Sequence, residues 1–333
     1  MSGLARRLNW LSGMNRYTVS LALAVFLFTP NLGCLFDALY EPGGYCAPQE
    51  PGPVEGAHSL FVVDSVRFPA NPLEASSEMS MDFDGVEPIR KENALGQVLG
   101  TVFGSLGTDI DGIVASMIAD GRILHLIDVQ SVSRDTSASV GASVFLGFDL
   151  DEDPSDNFTG TETFGVVDPF AGQTMTGRIN DGNIVVALGA MPLQLALPGV
   201  EEPFVLNLAA ARMEAAFDGD MLVGLIGGVL SEEQVQNEFL PIVHTVIARS
   251  VALQCDQGVC EPDSNGAVFL DLFDSDGDGE VSLEEVVDNE LVKALTEPDL
   301  DLFDESGAMV PGCDDVRESL SFVVRFTAVP AQF

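Results

Sequence analysis

Residues 137–148 read Ser-Ala-Ser-Val-Gly-Ala-Ser-Val-Phe-Leu-Gly-Phe. Ala138, Val140, Ala142, Val144, Leu146 and Phe148 fall on one parity, and Ser137, Ser139, Gly141, Ser143, Phe145 and Gly147 on the other. Side chains of a strand alternate between the two faces of its sheet, so the pattern predicts a half-buried strand. The same period recurs along the chain. Leu60, Val62, Val66 and Phe68 share one face, which Asp64 interrupts. Ile184, Val186 and Leu188 repeat it, and Pro192 resets the phase to Leu193, Leu195 and Leu197. Phe204, Leu206 and Leu208 face one way, opposed by Asn207 and later Arg212. Near the end Leu320, Phe322, Val324 and Phe326 face in, while Ser321, Arg325 and Thr327 face out. Many short alternating strands, separated by turns such as Asn180-Asp181-Gly182 and Asp218-Gly219, predict a mainly β protein, a β-sandwich of antiparallel sheets.

Helical insertions interrupt the strands. Ala94, Leu95, Val98, Leu99, Val102 and Phe103 recur at helical spacing, and a second short helix is predicted over 110–119. The strongest helix opens at Ser231, with Gln234 completing a capping box. Val235, Phe239, Ile242, Val243, Val246, Ile247 and Val251 mark its apolar stripe, and Pro241 should kink or split it. His244 sits at the margin of that stripe with no second ligand at helical spacing, which makes it a packing residue.

The chain has 333 residues, 46% of them hydrophobic, enough for a substantial core. Its 52 acidic and 14 basic residues give a net charge of −38, which excludes a nucleic-acid partner because a polyanion would be repelled. Arg6, Arg7 and Arg16 precede an apolar run, Val19 to Phe28, too short to span a bilayer, and residues 1–33 therefore read as a signal peptide. Gly33-Cys34 resembles the end of a bacterial lipobox, which implies lipidation at Cys34, although Asn31 and Leu32 depart from that pattern. The expected location is outside the cytoplasm, as an outer-membrane or cell-surface lipoprotein, with a soluble periplasmic or secreted form as the alternative. Residues 34–57 are rich in Pro and Gly and read as a tether. The expected organisation is then a sandwich over 58–255 and a segment over 256–333 that ends in a strand completing it.

Of five cysteines, Cys34 is set aside for lipid, and the other four allow three pairings. The short Cys255–Cys260 loop favours a local bridge, leaving Cys46 for Cys313. A zinc site is disfavoured, since no C-x-x-C occurs and His58, His125 and His244 are scattered.

Residues 274–285 read Asp-Ser-Asp-Gly-Asp-Gly-Glu-Val-Ser-Leu-Glu-Glu. Calcium takes six to eight oxygens, and this spacing supplies them. Asp274, Asp276 and Asp278 offer side-chain oxygens from positions 1, 3 and 5. Gly279 permits the sharp turn, Glu280 offers its carbonyl, Ser282 acts through a water, and Glu285 closes the sphere with both carboxylate oxygens. Val281 packs beneath the loop. Ala267, Phe269, Leu270 and Phe273 suit an incoming helix; Leu283, Val286, Val287, Leu291 and Leu295 suit an outgoing one. Residues 264–296 thus resemble an EF-hand, which implies a Ca²⁺ cofactor and a C-terminal helix-loop-helix. The hand is single. Near 299–310, Asp299, Asp301 and Asp304 are present, but Phe303 holds position 5 and no Glu closes a loop. Asp149, Asp151, Asp153, Ser155 and Asn157 share the alternating spacing, with Pro154 in place of the turn glycine, and form an outside candidate for a second ion. The wider layout resembles secreted EF-hand proteins of Gram-negative bacteria, which implies no activity.

No nucleophile elbow, P-loop, dinucleotide fingerprint or H-E-x-x-H motif occurs, so no catalytic residue is assigned. The favoured expectation is an exported, calcium-stabilised structural or binding module. A calcium-dependent binder of protein or carbohydrate and a calcium-stabilised hydrolase with an unidentified site are the alternatives.

Overall fold

The computed structural model describes residues 53–84, 91–105, 109–167, 173–200, 202–256, 258–262, 264–303, 309 and 316–333. The signal peptide, Cys34, nearly all of the tether and the Cys46–Cys313 pair lie outside these residues. The strands are β1 (Ala57–Arg67), β2 (His125–Ser131), β3 (Ser137–Asp149), β4 (Phe164–Val166), β5 (Met175–Asn180), β6 (Asn183–Leu195), β7 (Phe204–Asp218), β8 (Met221–Ser231), the short pair β9 (Cys255–Asp256) and β10 (Val259–Cys260), and β11 (Ser319–Pro330). All pairings in the large sheet are antiparallel, and the protein is mainly β.

The expected two-layer sandwich is corrected to a ring. In the nine-stranded sheet, β2 pairs with β1 on one edge and with β3 on the other, joining what would be the ends of the sheet. β1, β2, β3, β5, β6, β7, β8 and β11 follow one another around it in chain order, and β11 returns to β1. β4 extends the line of β5 along the edge of β3. This is an up-and-down barrel, whose closure leaves no edge unpaired. Alternation alone cannot separate a closed ring from two facing sheets, because both bury one parity of every strand.

Bulges explain where the faces differ from strict alternation. The β1–β11 register shifts between Val63 and Ser65, at Asp64, so the inward residues are Phe61 and Val63 before the bulge and Val66 and Phe68 after it. Val62 instead lies outside, beneath Leu124, Leu126 and Phe164. In β6 the phase shift falls around Leu188 and Gly189 rather than at Pro192. Leu188 takes φ 65° and is partly exposed, while Met191, Leu193 and Leu195 return to the core. Ala210, at φ 46°, marks the same device in β7. An extra residue in one strand bends it and sharpens its twist, as ring closure requires.

The two ends of the ring differ. At one end Asp181-Gly182 joins β5 to β6 and Gly219-Asp220 joins β7 to β8, with φ of 49°, 76° and 63° at Asp181, Gly182 and Gly219, the left-handed backbone of tight hairpins. At the other end leave the long connections, including 68–124 and 232–318, which carry the helices. The first holds α1 (Pro72–Ser77), α2 (Ala94–Ser105) and α3 (Ile110–Ala119). The second holds α4 (Glu232–Gln234), a five-residue π turn (Val235–Phe239), α5 (Leu240–Gln254), α6 (Asn265–Phe273), α7 (Leu283–Asp288) and α8 (Glu290–Leu295). Ser231 and Gln234 form the expected capping box, and Pro241 falls in the first turn of α5, after the π turn that splits the helix.

Apolar side chains of α2, α3, α5, α6 and α7 join those of the barrel interior in one core. Ser321, expected to face solvent, is fully buried, because the start of α2 and the segment at Asp299 cover that stretch of β11. Asn93 stitches this layer to the wall. Its Nδ2 donates to the Met79 and Val323 carbonyls at 2.6 and 2.9 Å, and its Oδ1 accepts from Val323 and Gly96 N–H at 2.9 and 3.0 Å. Inside the ring, a void of about 20 Å³ is lined by residues that include Val63, His125, Ile226 and Phe326. One water needs about 10–15 Å³, so this void has room for little more than one. No helix among the described residues is long and apolar enough to cross a membrane.

Candidate metal centre

Residues 274–282 link α6 to α7. α6 begins at Ser264, whose hydroxyl accepts from Ala267 N–H at 3.2 Å, and its Phe269 and Phe273 are buried in the core. α7 begins at Ser282, which with Glu285 makes a second capping box. The outgoing helix does not run through to Leu295 as expected but breaks at Asn289. That side chain caps α8 and reaches α6: Oδ1 accepts from Leu291 N–H at 2.9 Å, and Nδ2 donates to the carbonyl of Leu272 near the end of α6 at 2.9 Å.

Within the loop the carboxylates take up backbone N–H groups. Asp274 Oδ1 accepts from Gly277 at 2.8 Å and Asp278 at 3.1 Å, and its Oδ2 from Gly279 at 3.0 Å. Asp276 accepts from Asp278, and Asp278 from Glu280. Gly277 and Gly279 take φ of 76° and 84°, conformations that other residues adopt only with strain. The result gathers Asp274, Asp276 and Asp278 with oxygens all within 4.8 Å of one another, the one such group of His, Cys, Asp or Glu among the described residues. No Lys or Arg lies between Arg249 and Lys293 to neutralise it. Three hard, converging oxygens with no basic neighbour in the segment could hold a metal cation.

Glu285 does not stand in that group. Its Oε1 accepts from Ser275 N–H and hydroxyl at 2.7 and 3.0 Å, and its Oε2 from Ser282 N–H and hydroxyl at 2.9 and 3.0 Å. These bonds, the Ser282 N–H first, bring its carboxyl down to about 2 and keep it ionised. Glu285 thereby ties one end of the loop to the other, and the Ser282 hydroxyl is engaged with it. Glu280 lies next to Val281, which is buried as expected.

Two supports lie under the loop: a histidine contact that was not legible in the sequence, and the Cys255–Cys260 bridge that was expected. His244 of α5, read there as a packing residue, donates from Nε2 to the carbonyl of Val281 at 2.9 Å. No spacing rule links residues so far apart in the chain. The Cys255–Cys260 disulfide closes the β9–β10 hairpin, and a Cβ on Gly258 at its tip would stand 3.3 Å from the Cα of Gly279.

The other acidic stretches differ. Asp299 grips Ser321, accepting from its N–H at 2.8 Å and from its hydroxyl, so it docks its segment onto β11; burial raises its carboxyl. In the 149–157 stretch burial raises Asp149 and Asp156, the latter also under the charges of Asp151, Glu162 and Asp153. His58 pairs with Asp128 at 2.8 Å, whereas Ser59 accepts from Arg134 at 3.1 Å. Compared with models of known protein families, with curated proteins and with solved structures, the chain matches none.

Proposed function

We propose that the protein is an exported calcium-binding module in which one EF-hand, Asp274 to Glu285, fastens a helical segment onto a β-barrel. The observation that carries this reading is the convergence of Asp274, Asp276 and Asp278 in a loop that turns at Gly279 between two helices. Asp274, Asp276, Asp278 and Glu285 supply side-chain oxygens, Glu280 its carbonyl, and Ser282 a water-mediated contact. Glu285 leaves its serine contacts to join the ion. The hand sits in the long connection between β8 and β11, so the ion acts on the segment that must deliver β11 to its two neighbours. A lone hand lacks pairing cooperativity, and affinity of the order of 10⁻⁴–10⁻³ M, typical of extracellular modules, is expected. Export by residues 1–33 and a lipid anchor at Cys34, in an outer membrane, belong to the same proposal and would place the hand where calcium is plentiful.

Calcium titration by calorimetry tests the site. The heat of one ion should be lost in Glu285→Gln, and a variant that binds as many ions as wild type would overturn the assignment. Palmitate incorporation that is lost in Cys34→Ser tests the anchor.

A further inference from the structure

The connection from β3 to β4 carries a second concentration of oxygens at the helix-bearing end of the ring. Asp149, Asp151, Asp153 and Asp156 fall within eight residues, and Glu162 follows. No Lys or Arg occurs between Arg134 and Arg178. A run of acids on a loop is ordinary, and these carboxylates are not gathered as tightly as the aspartates of the hand. What sets the stretch apart is Asn157. It is 1% exposed, and neither its Oδ1 nor its Nδ2 has a hydrogen-bond partner. The amide is enclosed where the loop meets the turn at Gly121: its Nδ2 and the Cβ of Pro154 lie 3.1 and 3.4 Å from where a Cβ on Gly121 would stand. The adjoining Asp156 also holds a buried oxygen, Oδ1, with no partner. A buried polar atom left unpaired costs about 1–3 kcal/mol, and native proteins rarely leave several side by side.

We infer that residues 149–162 form a second site for a calcium-class divalent cation, with the Asn157 amide and the Asp156 carboxylate beneath the ion and Asp151 and Asp153 closing over it. A hydrated cation meets each requirement at once. It gives the buried oxygens of Asn157 and Asp156 a positive partner, its waters accept from Nδ2, and it neutralises the surrounding carboxylates. A lone water would satisfy the amide and leave that repulsion in place. Pro154 in place of the turn glycine and the missing glutamate at position 12 make this a looser site than the hand.

The test counts ions on the full chain, with calcium itself as the probe. Native mass spectrometry and calorimetry, at about 0.15 M KCl to screen the diffuse atmosphere around an acidic protein, compare wild type with two variants. The wild type should hold two ions. Glu285→Gln should keep one. The pair Asp151→Asn, Asp153→Asn should also keep one and weaken the other at least tenfold; both residues are exposed, and the asparagine oxygens can still accept from Asp153 N–H and from Ser155, so the fold is retained, which circular dichroism checks. The inference is overturned if Glu285→Gln holds no ion, or if the Asp151/Asp153 variant titrates as wild type does. An ion count unchanged in Glu285→Gln but reduced in the Asp151/Asp153 variant would sink the hand and leave this site standing, so the two assignments fail separately.

Discussion

The imidazole of His244 donates to the carbonyl of Val281 at 2.9 Å, which joins the middle of α5 to the eighth position of the candidate calcium loop. In paired EF-hands a short β-ribbon between the two loops steadies them. Here a helix side chain takes up that carbonyl, and β9–β10 backs the loop at Gly279. The arrangement holds the candidate loop in shape by contacts from outside it. Removing the bond should cost about 1 kcal/mol. His244→Ala should therefore weaken calcium binding roughly fivefold with the fold intact, whereas His244→Gln, which can still donate, should lose less. Equal affinities for all three proteins in calorimetry would show that the bond does not shape the loop.

Calcium should raise the melting temperature. A ligand that binds only the folded state contributes about 2.7 kcal/mol at a hundredfold excess over Kd, which corresponds to roughly 5 °C for a protein of this size. Equimolar magnesium, which prefers octahedral sites and sheds water reluctantly, should do much less. The shift should grow once Cys255–Cys260 is reduced, because the hairpin then no longer backs the loop. Calorimetric scans with and without reductant test this, and a curve indifferent to calcium in both conditions would mean that the hand does not hold the fold.

His125 predicts an acid-side loss of stability. It is fully buried in the barrel wall, where its Nε2 accepts from Gln194 N–H at 2.7 Å and the neutral ring carries its proton on Nδ1. Burial lowers its pKa from 6.5 to about 4. Between those values the unfolded chain binds a proton that the folded chain refuses, so stability falls as pH drops through this window and is insensitive to this group above it. The loss approaches about 3 kcal/mol by pH 4. Urea midpoints measured from pH 7 to pH 4 should decline more steeply for wild type than for His125→Gln; parallel profiles would contradict the assignment.

Asn93→Ala should be among the most damaging single changes outside the barrel interior. It strands Val323 N–H and carbonyl, the Met79 carbonyl and Gly96 N–H in a buried layer. A cost of about 3–5 kcal/mol is expected from that many unmet groups. Chemical denaturation measures it, and a loss below about 1 kcal/mol would mean that water reaches the layer.

The sequence was most informative where one physical rule acted alone. Ser137 to Phe148 alternates in sequence and β3 occupies that stretch, with Val140, Ala142, Val144 and Leu146 buried as expected. A register shift between Ser137 and Val140 nevertheless leaves Ala138 exposed, and Phe148 is exposed at the far end. Ser231 and Gln234 announce a helix start because the two side chains must serve orphaned backbone groups within one turn. Bulges broke the reading elsewhere. Asp64 looked like a polar interruption of one face, but it marks the residue at which the face changes. Closure of the ring was illegible, since it depends on β2 having a partner on each edge. In the candidate site the aspartates and Gly279 follow from spacing, whereas the contact of His244 with Val281 arises from residues brought together by the fold.

Because β11 pairs on both sides, with β1 and with β8, synthesis imposes an order on assembly. β1 is complete at Arg67, yet the strand that covers one of its edges begins only at Ser319. At roughly 5–20 residues per second, β1 waits about 13–50 s for that partner. Until then its edge, and that of β8, present unpaired backbone to any passing chain. The interval is a window of vulnerability to mispairing. Whatever hastens the compaction of 232–318 shortens it after the last strand has emerged, so a metal ion acting there would be felt first in the yield of correctly folded protein, before any difference showed in the finished molecule.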